Sequence, residues 1–237
     1  MTGKDIVLSD RMQMVADMVT KGNVLADIGC DHGFVSIYLL EKGICPKVIA
    51  MDVNEGPLLR AMEHVKERGL TDYIDIRLSN GMEKLNVGET DSILIAGMGG
   101  RLVIKILTDY PEKTKALKEI ILQPQSELHL VRTFLTESGY HILEEDMTKD
   151  NGKYYPAMRV VYNGENQTEL SEPEQWYGPI LLKQKHPVLL EYLQKEKEKY
   201  HQILQGIQKN SNKKEEPSVE ETIKSRQSMI DMALTYF

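Results

Sequence analysis

The sequence predicts an α/β protein, a parallel sheet covered by helices on both faces, with a helical segment following it. Three observations carry this expectation. Strand-like and helix-like patterns alternate as far as Ser138. A glycine loop, Ala26-Asp27-Ile28-Gly29-Cys30-Asp31-His32-Gly33, joins the first strand candidate to the helix after it. Beyond Gly139 the alternation gives way to two strand-like runs with no helix between them. Alternation builds βαβ units and hence parallel strands, whereas two runs joined by a tight turn build an antiparallel hairpin.

Taken in order, Ser9 is placed to cap a first helix, with Met12, Val15, Ala16 and Val19 at helical spacing after it and Gly22-Asn23 ending it. Strands are expected at Val24–Ile28, Lys47–Asp52, Ile74–Leu78, Ser92–Ala96 and Glu119–Gln123. Helices are expected at Gly33–Glu41, Pro57–Arg68, Arg101–Asp109 and Leu128–Ser138. Pro57 suits a first turn and Gly69 a stop. His141–Met147 and Tyr154–Tyr162, separated by the turn Lys149-Asp150-Asn151-Gly152, form the hairpin that closes one sheet edge.

From about Glu172 the strand signals cease, and apolar residues from Leu181 to Ile207 recur at helical spacing between Lys and Glu. The polar run Asn210–Pro217 breaks this pattern, and Ser218 is placed to cap a last helix ending at Thr235. An antiparallel, coiled-coil-like helical hairpin over residues 172–237 follows, appended to a domain of residues 1–164. Such a tail either grips RNA or is a solvated packing element.

The glycine loop carries the chemistry. A dinucleotide site wants a second glycine two residues after Gly29, so that pyrophosphate can meet bare backbone. Asp31 stands there. Its carboxylate repels phosphate but accepts hydrogen bonds from a cationic amine, which favours S-adenosylmethionine (SAM). Asp52, at the tip of the second strand, is placed to accept both ribose hydroxyls. Ser79-Asn80-Gly81, after the third strand, can read an adenine edge or simply turn the chain. Ser92–Ala96 runs into Gly97-Met98-Gly99-Gly100-Arg101, at the end of the sheet where open α/β folds bind ligands. There the glycines offer close backbone approach and carbonyl acceptors, and Met98 an apolar surface. Asp31 is the candidate for orienting an amine. His32 packs on a base, relays a proton or is structural. Arg11 and Arg101 hold a carboxylate or a phosphate, or form surface ion pairs.

Composition excludes several classes. With 41% hydrophobic and 27% charged residues the chain is that of a globular protein, and it lacks an apolar run long enough to span a bilayer. Two cysteines give no disulfide framework, and no Cys/His spacing suggests zinc, so a cytoplasmic protein without metal or membrane partner is expected. The net charge of −7 resides in residues 1–171, while 172–237 are neutral, which opposes bulk binding of DNA or RNA through overall field.

The chain resembles the bacterial tRNA (adenine-22-N1)-methyltransferase family over nearly its whole length. The matching strings are Leu8-Ser9-Asp10-Arg11 with Val15-Ala16, the Ala26–Gly33 loop, Glu55-Gly56-Pro57-Leu58, Arg77 with Asn80-Gly81, Ile95-Ala96-Gly97-Met98-Gly99-Gly100, Leu122-Gln123-Pro124 and Gly178-Pro179 with Leu181-Leu182. Departures from its usual pattern are Cys30, Gly33, Phe34, Ser36, Asn80 and Gln125. The resemblance implies a Rossmann-like class I methyltransferase sheet, SAM as methyl donor with S-adenosylhomocysteine as product, and tRNA as partner of a chain expected to be a monomer. It also implies a cofactor set of Arg11, Asp27, Gly29, Asp31, Gly33, Asp52, Val53, Asn80, Gly81, Ala96 and Gly97, with Asp31, His32, Gly97, Met98 and Gly99 nearest the chemistry. Competing readings are a SAM-dependent enzyme acting on another RNA, a small molecule or a protein, an NAD-linked oxidoreductase, and a non-catalytic RNA-binding module.

Overall fold

The computed structural model describes residues 5–165, 168–209 and 217–237, and the chain divides into two compact units, Met1–Thr168 and Glu169–Phe237. The first unit holds a seven-stranded sheet. Its strands are β1 (Leu25–Ile28), β2 (Val48–Asp52), β3 (Ile74–Leu78), β4 (Ser92–Met98), β5 (Glu119–Pro124), β6 (Tyr140–Asp150) and β7 (Lys153–Tyr162), in the order β3-β2-β1-β4-β5-β7-β6. The first five are parallel; β7 runs antiparallel to β5 and pairs with β6 at the edge.

The central strands are buried on both faces, as continuous apolar runs such as Val48-Ile49-Ala50-Met51 require once helices cover each side. Those helices are α1 (Asp10–Asp17), α2 (Phe34–Glu41), α3 (Glu55–Glu67), α4 (Gly100–Asp109), the single turn α5 (Pro111–Thr114) and α6 (Leu128–Glu137). The Ser9 hydroxyl accepts from the Met12 amide at 3.4 Å, as an N-cap does. Helix α3 starts at Glu55, two residues before the expected Pro57, because Asn54 already has the extended backbone of a cap. Strand β4 continues two residues past Ala96, and α5 was not expected. In the hairpin, Asp150 pairs with Lys153, which leaves a two-residue Asn151-Gly152 turn in place of the four-residue one expected. Both turn residues have positive φ, 48° and 78°, the type I′ geometry that matches strand twist.

The second unit contains four helices, not two: α7 (Glu172–Tyr177), α8 (Pro179–Lys183), α9 (Pro187–Lys209) and α10 (Pro217–Leu234). Proline opens or nearly opens each, where its missing amide hydrogen costs nothing. Helices α9 and α10 pack together, with the Lys197 ammonium 2.7 Å from the Asp231 carboxylate and Lys185 near the Phe237 carbonyl, so the two run antiparallel. The expected polar break at 210–217 lies, apart from Pro217, outside the described residues; α10 already begins at Pro217, so Ser218 lies within it and is not its cap as expected.

One internal charge pair crosses from α6 to β6. The Arg132 Nε donates to the Glu145 carboxylate at 2.8 Å, and both side chains are almost wholly buried. Removing one partner takes away the opposite charge that the other buried ion faces here. Glu145→Leu should therefore destabilise the protein by about 3–5 kcal/mol, and adding Arg132→Met should recover much of the loss. Urea unfolding of both variants measures this.

Candidate active site

Strand order reverses between β1 and β4, with β2 and β3 continuing to one side and β5 to the other. Loops leaving the carboxyl ends of these two strands diverge, and a cavity of about 400 Å³ opens between them. Of the residues expected to bind cofactor or lie near the chemistry, Arg11, Gly29, Asp31, Asp52, Val53, Asn80, Gly81, Ala96, Gly97 and Met98 line it.

The buried Asp52 carboxylate organises one wall. Its Oδ1 accepts from the Asn54 amide at 2.9 Å, and its Oδ2 from the Asp31 amide at 3.3 Å. The second bond holds Asp31 in the left-handed region, φ 52°, where aspartate is among the few side chains tolerated. The Asp31 carboxylate is 70% exposed and lies 3.5 Å from the His32 Nε2. The rim of the cavity is thus acidic.

The opposite wall is bare backbone. β4 carries a bulge between Ala96 and Met98, which leaves Gly97 without a partner in register. With φ of 79°, Gly97 adopts a backbone that other residues avoid, and a Cβ there would meet the Arg11 guanidinium at 3.4 Å. Across from it, a Cβ on Gly29 (φ 78°) would lie only 2.4 Å from the Met98 methyl. Both glycines are required by backbone more than by space, since 3.4 Å is ordinary contact and the Met98 methyl ends a flexible side chain that can shift.

Beneath the bulge sits a residue the sequence reading did not single out. Gln123 is fully buried, and its Oε1 accepts from both the Gly97 amide (3.2 Å) and Arg11 Nη1 (3.1 Å). Its Nε2 is buried without a hydrogen-bond partner among the described residues. Arg11 lies with its guanidinium 5.3 Å from the Tyr155 ring centroid. A polar residue ending the apolar run Glu119-Ile120-Ile121-Leu122-Gln123 was the available signal. Also missed were Gln125, whose amide donates to the Met98 carbonyl at 2.8 Å, and an apolar wall of Pro57, Leu102 and Ile106.

Five candidate residues do not line the cavity. Asp27 points behind the loop, where the Ser36 hydroxyl donates to it at 2.7 Å. Gly33 abuts Ala61 at the start of α2, and Gly99 caps α4 against Ser126. His32 stands outside, with its carbonyl accepting from His64 Nδ1 at 3.0 Å. Arg101 forms a surface ion pair with Glu127 at 2.5 Å. Burial pushes the Cys30 thiol well above its ordinary range, aided by Asp27 and Asp52, so it stays a thiol and packs as a small apolar group.

Burial, reinforced by the charges of Asp52 and Asp31 and only partly offset by the Ser36 hydrogen bond, raises the Asp27 carboxyl from 3.8 to about 6. The folded protein therefore keeps a proton that the unfolded chain releases between about pH 4 and 6. Stability falls as pH rises through that window and levels off above it, by up to about 3 kcal/mol. Asp27→Asn, which still accepts from Ser36, should abolish this slope. Its stability relative to the parent, measured by urea unfolding, should rise between pH 4 and pH 7.5.

Among the described residues no cluster of three His, Cys, Asp or Glu side chains could hold a metal ion, and no helix is long and apolar enough to cross a membrane. Residues 8–158 match the model of a methyltransferase domain family. The tRNA (adenine(22)-N(1))-methyltransferase of Bacillus subtilis is 31% identical over 96% of this chain and 98% of its own length. Among solved structures, Streptococcus pneumoniae Sp1610 in complex with S-adenosyl-L-methionine is 31% identical, with a TM-score of 0.84 over 96% of this chain and all of that one. TrmK of M. capricolum in complex with S-adenosyl-homocysteine is 25% identical, with a TM-score of 0.82 over 98% and 99% of the two chains. An acidic rim, glycine backbone facing it and these likenesses along nearly the whole sequence agree: the chain belongs to the tRNA (adenine(22)-N(1))-methyltransferase family.

Proposed function

We propose that the cavity between β1 and β4 holds SAM and that the protein methylates N1 of the adenine at position 22 of tRNA. The observation that carries the site assignment is the buried Asp52 carboxylate facing glycine backbone across the cavity. Asp52 is anchored by two backbone amides and keeps lone pairs for ribose hydroxyls. Asn80 and Gly81 lie beside Ile106, where an adenine ring would find an apolar face and a polar edge. Asp31 offers its exposed carboxylate to the ammonium group, and Arg11 its guanidinium to the carboxylate.

Bound there, SAM supplies an electrophilic methyl group carried on a sulfonium. Neutral adenine already has a lone pair on N1, so the chain needs no base to create the nucleophile. Positive charge moves onto the base as the N1–C bond forms, and the acidic rim around Asp31 favours that movement. Gly97 and Met98 shape the approach, with the Gly97 amide fixed by Gln123.

The helices of residues 172–237 are proposed as a tRNA-contacting module. Helix α9, with 23 residues, is about 35 Å long and can follow several phosphates. Its contribution is steric more than ionic, since Lys197 and Lys199 are paired with Asp231 and Glu196. A monomer working in the cytoplasm, without membrane partner, completes the reading.

Two measurements test it. A tRNA transcript with guanine at position 22 should accept no methyl group, because guanine N1 bears a proton; mass spectrometry of digested nucleosides reads this directly. Robust methylation of that transcript would overturn the target assignment. Asp52→Ala should weaken SAM and S-adenosylhomocysteine alike by about 1.5–3 kcal/mol in calorimetry, the worth of hydrogen bonds to a charged acceptor.

A further inference from the structure

Three aromatic rings form a ledge beside the acidic rim. Phe34, the first residue of α2, is 44% exposed although it belongs to an otherwise largely buried helix. One face of its ring stacks on His64 of α3, with centroids 4.8 Å apart and an interplanar angle of 26°. His64 is itself held, since its Nδ1 donates to the His32 carbonyl at 3.0 Å. The His32 ring lies 6.0 Å from Phe34 and 6.4 Å from His64, and its Nε2 is 3.5 Å from Asp31. A ring fixed on one side and open on the other is a stacking surface already assembled.

A cation stands with it. Arg60 is exposed one helical turn before His64 on α3, and makes no ion pair among the described residues. A fixed ring beside an unengaged guanidinium is the pairing that holds a base and its phosphate. Placement decides which base. Pro57 lines the cavity, and His64 lies seven residues further along α3, about 10 Å at the helical rise. Phe34 does not line the cavity although Asp31, three residues before it, does, so its ring lies beside the cavity and suits the neighbour of an adenine whose N1 sits inside.

We propose that Phe34, supported by His64, stacks a nucleobase flanking the target adenine, and that Arg60 contacts a nearby phosphate. This rests on the reading of the cavity as the site of tRNA methylation. Extruding a base breaks its stacking with both neighbours, and a protein ring that takes over one of those faces holds the opened strand in place. The ledge therefore contributes to tRNA recognition and not to binding of SAM.

The test places 2-aminopurine at position 21 or 23 of a tRNA transcript that retains adenine 22. On binding the intact enzyme, fluorescence at one of the two positions should be quenched, and Phe34→Leu should remove the quench. Phe34→Leu should also lower kcat/KM for tRNA about tenfold with SAM affinity unchanged, while Phe34→Trp restores it. Arg60→Gln should reduce the slope of log K for tRNA against log salt by about one. Absence of quenching at both positions with the parent enzyme, undiminished kcat/KM in Phe34→Leu, a parallel loss of SAM affinity, or an unchanged salt slope in Arg60→Gln would each overturn the inference. If the parent enzyme itself fails to methylate adenine 22, the underlying functional reading falls instead.

Discussion

The carboxylate of Glu119 fixes the starting line from which the site is measured. It is buried at the first position of β5 and accepts from the Thr20 amide and hydroxyl, the Asn23 side chain and the Ser92 hydroxyl, at 2.6–3.2 Å. Those donors belong to the segment leading into β1 and to the first residue of β4. A buried carboxylate is tolerated when its lone pairs are occupied in this way, and here the compensation sets register as well. Leu25 is level with Ser92, and Ser92 with Glu119; three residues on, Ile28, Ile95 and Leu122 are level too. The next residues are Gly29 and Ala96, which line the cavity, and Gln123, which pairs with Ala96 and holds the bulge. A one-residue slip in any of the three strands would turn these groups to the wrong face of the sheet.

The charge distribution poses a conflict that the geometry eases. Asp27, Asp31 and Asp52 gather around one loop, and the first 171 residues carry the whole net charge of −7. That field suits a cationic methyl donor and opposes the approach of a polyanion. Asp27 is withdrawn behind the loop, where burial raises its carboxyl to about 6 and the Ser36 hydroxyl donates to it. Asp52 is buried with two amide donors. Only Asp31 projects to the rim, so the repulsion an incoming phosphate meets is confined to one side chain. Bases can approach that rim edge-on while phosphates remain outside, near cations such as Arg60.

What was legible in the sequence was whatever depends on short-range pattern. Apolar runs between helical patterns placed the five parallel strands, and the Lys149-Asp150-Asn151-Gly152 turn announced the hairpin. The loop around Gly29 and the acid ending β2 were visible because strand ends fix where such residues go. The remainder depends on contacts between distant segments. Gln123 matters through Arg11 and Gly97, more than a hundred and some twenty-six residues away. The glycine run 97–100 looks uniform, but the bulge gives its members different tasks: Gly97 lines the cavity, while Gly99 caps α4. In the second unit, Pro173, Pro179 and Pro187 marked separate helix starts, a signal hidden under the continuous spacing of leucines.

The form of the site follows from the reaction it serves. A nucleophile that already has its lone pair needs no proton removed, and among the described residues no histidine lines the cavity. What the reaction does need is one approach line between N1, the methyl carbon and sulfur, because displacement at carbon is steeply sensitive to angle. The structure invests accordingly in backbone that cannot wander. Asp31 is held in the left-handed region by a hydrogen bond to Asp52, and Gly97 stands out of register on a bulge pinned by Gln123. Each of these is a local cost, of order 1–3 kcal/mol for a strained residue or an unpaired buried amide. The large parallel core sustains such costs, and the same rigidity that tolerates them keeps donor and acceptor aligned.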